Sequence, residues 1–159
     1  MGFLKLSLKG RALRLLAQRE HSRSELQTKL ARYVQEGEDL AAVLDELQAK
    51  DFINEGRVAE SVVNRRAARL GTQRVLQELR RKGLDEELIR AAGRQLAGSE
   101  LERARAVWRQ RFSAAAETPA ERVRQMRFLA ARGFAADVVR RVVRGAADDD
   151  DGMEAGGWE

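Results

Sequence analysis

Leu79-Arg80-Arg81-Lys82-Gly83-Leu84 and, fifty residues later, Leu129-Ala130-Ala131-Arg132-Gly133-Phe134 follow the same pattern. Each runs into a helical continuation, Asp85-Glu86-Glu87-Leu88-Ile89 in the first case and Ala135-Ala136-Asp137-Val138-Val139 in the second. Both have the form of a helix end: an apolar residue, two variable positions, a cation in the last turn, then Gly at the left-handed position just past the helix. The cation faces the negative end of the helix dipole, and the apolar residue after Gly folds back onto the helix it has left. Leu47-Gln48-Ala49-Lys50-Asp51-Phe52 repeats the pattern with Asp in place of Gly, and Asp tolerates the left-handed region better than most residues. A helix end recurring at this period predicts a tandem array of helical units, an architecture that usually presents a binding surface.

Working outward, helix starts fall between these ends. Ser22-Arg23-Ser24-Glu25 has the Ser-x-x-Glu capping box, Asp39 is placed to cap the helix bearing Leu40, Val43, Leu44 and Leu47, and Thr72 and Ser99 read as further caps. Thr118-Pro119-Ala120-Glu121 combines a cap, Pro at the first helical position and Glu two residues on. No stretch alternates as a strand would. The expected fold class is therefore all-α, an elongated tandem array of three three-helix units. The expected boundaries are an N-terminal extension at 1–10, repeats at 11–53, 54–98 and 99–145, and an acidic disordered tail at 146–159. Each repeat is too small to bury a large core alone, so neighbours should lean on each other.

Composition excludes several function classes. The 159 residues include no cysteine, which removes thiol redox chemistry, disulfides and Cys-containing zinc sites. The one histidine, His21, precedes a helix start and reads as a polar turn residue. No run approaches the roughly 18–20 apolar residues of a membrane span. The opening Met1 to Gly10 is too short and too broken by Lys5 and Lys9 for a signal peptide, and Leu6 stands where a myristoylation signal has Ser or Thr. Neither Gly-rich phosphate-binding loop is present, and acidic pairs such as Asp45-Glu46 and Glu86-Glu87 point to different helix faces. The expectation is a cytoplasmic protein, not an enzyme, with no cofactor and no membrane partner.

Charge carries the functional signal. Residues 1–60 hold 10 basic and 10 acidic side chains, residues 61–145 hold 20 and 9, and residues 146–159 hold none and 6. A basic body with an acidic tail calls for a polyanion or an acidic protein surface. Arginine dominates, which suits bidentate contact with phosphate or carboxylate. The candidate binding residues are Arg65, Arg66, Arg69, Arg74, Arg80, Arg81, Lys82, Arg124, Arg127, Arg132, Arg140 and Arg144, with DNA affinity expected in 61–145. Trp108 and Phe112 lie one turn apart on an apolar face and read as core.

Arg11-Ala12-Leu13-Arg14-Leu15-Leu16-Ala17-Gln18-Arg19-Glu20-His21-Ser22-Arg23-Ser24-Glu25-Leu26, running into Lys29-Leu30, resembles the opening motif of the RecX family. Leu44-Asp45-Glu46-Leu47 with Phe52-Ile53-Asn54-Glu55 is similar to its second block, and Arg66 to Leu84, with Gly71, Val75, Leu79 and Lys82-Gly83-Leu84, to its third. The likeness covers about residues 11–145 in order and spacing; Asp51 stands where the family usually has Gly, and Val58 where it has an aromatic. It implies three tandem three-helix units in a monomer that binds RecA recombinase filaments and single- and double-stranded DNA. It further implies limits on filament growth, ATPase and strand exchange, within recombination, DNA repair and the SOS response. The competing class is a helix-turn-helix transcription regulator, which needs a recognition helix presenting Asn, Gln or Arg to bases. Basic residues spread over many helices weigh against it.

Overall fold

The computed structural model describes residues 5–153, with side chains as far as Ala147. Among the described residues all regular structure is helical: α1 (Leu8–Gln18), α2 (Arg23–Leu30), a 3₁₀ turn (Ala31–Tyr33), α3 (Leu40–Ala49), α4 (Glu55–Arg66), α5 (Thr72–Arg81), α6 (Glu86–Ala97), α7 (Glu100–Arg111), α8 (Pro119–Ala131) and α9 (Ala136–Met153). The chain packs into two compact units, one made of residues up to 62 with 78–90, the other of 63–77 with 91 onward. Each of α4, α5 and α6 therefore contributes residues to both units.

In the first unit α1, α2 and α3 pack on one another around Ala12, Leu26, Leu30, Leu44, Leu47 and Ile53. In the second, α7, α8 and α9 enclose Ala104, Val107, Leu129, Phe134, Val139, Val142 and Val143. Trp108 and Phe112 belong to this apolar region as expected: Phe112 meets Phe128 edge-on at 5.4 Å, and the Trp108 indole N–H donates to Gln125 Oε1 at 3.0 Å. Burial of the polar end of an aromatic is tolerable when its hydrogen bond is made.

The helix ends follow local chemistry. Asp51, Gly83 and Gly133 all take positive φ (64°, 72° and 92°), as the three matching endings require. Ser22 and Glu25 close the capping box, Asp39 accepts from the Ala42 N–H, and Thr118 accepts from the Glu121 N–H behind Pro119. Elsewhere the structure departs from expectation. Helix α1 starts at Leu8, inside the expected 1–10 extension, because Ser7 accepts from the Gly10 N–H and Leu8 is buried. Ser99 stands at the N-cap position of α7, as expected, but makes no capping bond: its hydroxyl donates to Leu96 O and accepts from Arg103. Thr72 is already the first residue of α5, and its hydroxyl accepts from Arg103. The expected tail start is overrun, since α9 continues past Gly145 to Met153. A helix anchored by Val139, Val142 and Val143 propagates cheaply through Ala146 and Ala147, one bond per residue fixed. The disorder expected of 154–159, with Trp158, lies outside the described residues.

Gly71 is pressed against another stretch of backbone. A Cβ there would fall inside the backbone of Gly133 and Phe134, whereas one on Gly37, at φ +83°, would meet nothing within 4 Å. Gly71→Ala is predicted to cost about 3 kcal/mol or more by forcing two backbones apart. Gly37→Ala should cost only about 1 kcal/mol, the left-handed penalty alone. Equal denaturation midpoints for the two variants would show that the backbone contact at Gly71 does not form.

Candidate polyanion and partner-binding surface

The second unit is held by a meeting of two turns. The Gly71 N–H donates to Arg132 O at 2.7 Å, and the Gln73 N–H donates to Gly133 O at 3.3 Å. This brings Arg69, Arg74 and Arg132 together. Arg74 lays its aliphatic stem over Gly133 and donates from Nη1 to Ala131 O at 2.9 Å. Arg132 reaches Arg69 O at 3.4 Å and lies 5.0 Å over the Phe128 ring. Arg69 sits beyond the end of α4, so it does not share a helix with Arg65. Among the described residues none of these three pairs with a carboxylate, so their positive charge stays uncancelled.

Arg103 has a different job. Its Nη1 donates to Ala67 O (3.0 Å) and Leu70 O (2.7 Å), its Nη2 to Thr72 Oγ1 (3.1 Å) and Leu96 O (3.0 Å), and its Nε to Ser99 Oγ (3.0 Å). All five guanidinium donors are used, three on carbonyls that follow α4 or end α6 and two on the hydroxyls of Thr72 and Ser99. Burial pushes its pKa below the usual arginine value, against the pull of Glu100. Sequence counting placed Arg103 in the basic series; the structure makes it an internal clamp.

Between α8 and α9 runs a groove of about 310 Å³ with Val123, Met126 and Phe134 in its wall and Arg127 and Arg140 beside it. An adjoining hollow of about 440 Å³ adds Arg122 and Arg144. Val123 is 45% exposed, a large apolar side chain left open to solvent. Arg124 is not part of this set; it borders another hollow beside Glu117 and Glu121. Arg65 is exposed and Arg66 half-buried in the last turn of α4.

Arg80 and Arg81 are exposed in the last turn of α5, but Lys82 is not available to a ligand. Its side chain is 13% exposed and its Nζ lies 3.2 Å from Glu25 Oε1, while its carbonyl accepts from Ser22 Oγ at 2.6 Å. Burial alone would raise the Glu25 pKa. Hydrogen bonds from Arg19, the Ser22 N–H and Lys82 outweigh it and hold the carboxyl at about 2. His21 is buried as well, with Nδ1 3.0 Å from Arg19 O and Nε2 3.2 Å from Lys29 Nζ. A carbonyl on one side and an ammonium on the other select the neutral tautomer protonated at Nδ1. Burial lowers its pKa accordingly. Among the described residues no cluster of metal-ligating side chains forms, and no helix is long and apolar enough to cross a membrane.

Three family models match the chain in order: RecX, first three-helix domain, over residues 9–47; RecX, second three-helix domain, over 54–92; and RecX, third three-helix domain, over 99–143. The chain is 47% identical to Regulatory protein RecX of Herminiimonas arsenicoxydans, covering 95% of this chain and all of the relative. It is 50% identical to Regulatory protein RecX of Leptothrix cholodnii, over 92% and 93% of the two chains. The crystal structure of RecX from Lactobacillus salivarius superposes with a TM-score of 0.73 at 19% identity, covering 88% of this chain and 94% of that one, a likeness of fold. The chain belongs to the RecX family, a family of regulatory proteins built as an all-α tandem array of three-helix domains.

Two predictions separate internal clamps from surface charge. Arg103→Met removes five donors from carbonyl and hydroxyl oxygens and should lower stability by roughly 3 kcal/mol, read by denaturant unfolding. A loss below about 0.5 kcal/mol, typical of a surface site, would contradict the clamp. The second concerns acid. Glu25 has its pKa depressed from 4.5 to about 2, so its stabilisation is complete above pH 4.5 and is lost as pH falls toward 2. Glu25→Gln should therefore be less stable than the parent at neutral pH, with the gap closing through that window. A gap independent of pH would exclude the ion-pair account.

Proposed function

We propose that this member of the RecX family is a negative regulator of RecA recombinase that binds RecA filaments and DNA and limits filament growth, ATPase and strand exchange. The observation that carries this reading is the set Arg69, Arg74 and Arg132 in the second unit, where Arg74 and Arg132 donate to neutral carbonyl oxygens and keep their charge. Family membership supplies the partner. Arg69, Arg74 and Arg132 suit a phosphate backbone, since planar guanidinium groups bind phosphate in pairs of hydrogen bonds. The α8–α9 groove, with an apolar floor and Arg127, Arg140 and Arg144 alongside, suits an acidic and apolar face of the RecA protein. The protein acts as a cytoplasmic monomer without catalysis of its own, in recombination, DNA repair and the SOS response.

The decisive measurement is RecA-driven ATP hydrolysis on single-stranded DNA. Substoichiometric protein should lower it progressively, and unchanged turnover up to equimolar protein would overturn the proposal. Val123→Asp places a carboxylate on an exposed groove position without touching the core. It should weaken inhibition at least about tenfold, a cost typical of a central interface residue. Its affinity for DNA alone should match the parent's, because no phosphate-binding arginine has changed.

A further inference from the structure

The first unit holds a cavity of about 550 Å³ between α1 and the α2–3₁₀ segment. Four cations line it, Arg11, Arg14, Lys29 and Arg32, and no carboxylate does. Residues 1–60 are balanced in charge, so this excess needs a cause. Five acids of the unit are engaged elsewhere: Glu46 with Lys9 and Lys50, Glu25 with Arg19 and Lys82, Asp45 with Arg23, and Glu20 and Asp51 with Arg57. Charge that balances along the sequence is thus separated in space.

The cavity also has a flat, apolar side. The Arg11 guanidinium stacks 3.8 Å over the ring of Tyr33, and Arg32 lies 4.7 Å from the same ring while donating to its hydroxyl at 2.7 Å. Leu15 and Leu30 continue the wall. Lys29 is held at the rim by neutral His21, whose Nε2 accepts from its ammonium.

We propose that this cavity binds one nucleotide of a nucleic-acid single strand. The base lies against the Arg11–Tyr33 stack and the leucine wall, and its flanking phosphates lie on Arg14, Lys29 and Arg32. This rests on the DNA-binding part of the proposed function and adds to it a site outside the basic segment. A nucleotide is favoured over an acidic peptide by the flat stacked platform and by a volume far larger than a carboxylate side chain needs. Single strands are chosen over duplex because a cavity takes an unstacked base and a paired one is not available to it.

The test uses the full chain and a fluorescein-labelled oligothymidylate of about 12 nucleotides, followed by anisotropy across a salt series. Arg14 and Arg32 are exposed, so Arg14→Glu/Arg32→Glu should keep the parent's melting curve. It should lose about tenfold or more in affinity and reduce the log–log salt slope by roughly 1.4, two contacts at about 0.7 each. Tyr33→Leu changes no charge; it should weaken binding about fivefold or more and leave the slope alone, the signature of lost stacking. Arg69→Glu/Arg81→Glu is the control for DNA contact by the basic segment 61–145. If it weakens binding while both cavity variants match the parent, the cavity proposal is overturned and the DNA reading stands. If the parent itself does not bind, the DNA reading falls and the cavity proposal with it. If oligoglutamate displaces the strand from the parent but not from a protein lacking Arg14 and Arg32, and Tyr33→Leu is without effect, the site takes acidic peptide and the proposal is wrong.

Discussion

The second unit depends on one close approach: the backbone of Gly71 lies directly on the backbone of Gly133 and Phe134, where no side chain fits. Two helix ends are brought together there, those of α4 and α8, and each delivers carbonyl oxygens that lack helical partners. Such oxygens need donors. Arginine is the side chain with the most N–H groups, and the unit supplies it three times, as Arg74 to Ala131, Arg132 to Arg69 and Arg103 to Ala67, Leu70 and Leu96. The positive surface is therefore in part a by-product of closing the turns.

A carbonyl and a carboxylate both accept from a guanidinium, but only the second cancels its charge. Arg103 exhausts its donors internally. Arg74 and Arg132 each make one bond of this kind, to a neutral oxygen, and keep both donors and charge for a ligand. Lys82 illustrates the opposite outcome. Ringed by Glu25 and packed beside Ser22, it neutralises a carboxylate whose own stability depends on it. Three adjacent cations in the sequence, Arg80, Arg81 and Lys82, thus divide into two surface charges and one structural partner.

Much of the fold was legible because helix ends are local chemistry. A left-handed residue, a capping hydroxyl and a proline at the first turn act within four residues of themselves, so Asp51, Gly83, Gly133, Ser22, Asp39 and Thr118 could be identified from their neighbours alone. Thr72 and Ser99 misled for a non-local reason. Their hydroxyls are claimed by Arg103, and nothing in either stretch announces that an arginine from α7 will be there. The role of Gly71 was equally hidden, since its partner lies sixty-two residues further along the chain. The family resemblance extended further than local chemistry could, to membership of a family of regulatory proteins.

Counting charge by segment also has a definite blind spot. The sum over residues 1–60 is zero, and charge counting therefore assigns the DNA affinity to residues 61–145 alone. A sum is insensitive to position, whereas the potential at a surface is set by charges within roughly one Debye length, about 8 Å at physiological ionic strength. Glu46, Glu25, Asp45, Asp51 and Glu20 are each held within 3.2 Å of a cation that does not line the cavity. Every such pair screens itself and contributes little field beyond its own neighbourhood. The cations around Tyr33 take part in none of these pairs, so their charge is felt by an approaching ligand. Equal numbers of acids and bases thus produce a neutral unit with a cationic face, and it is the pairing pattern, which only the packing of α1, α2 and α3 reveals, that decides where the face lies.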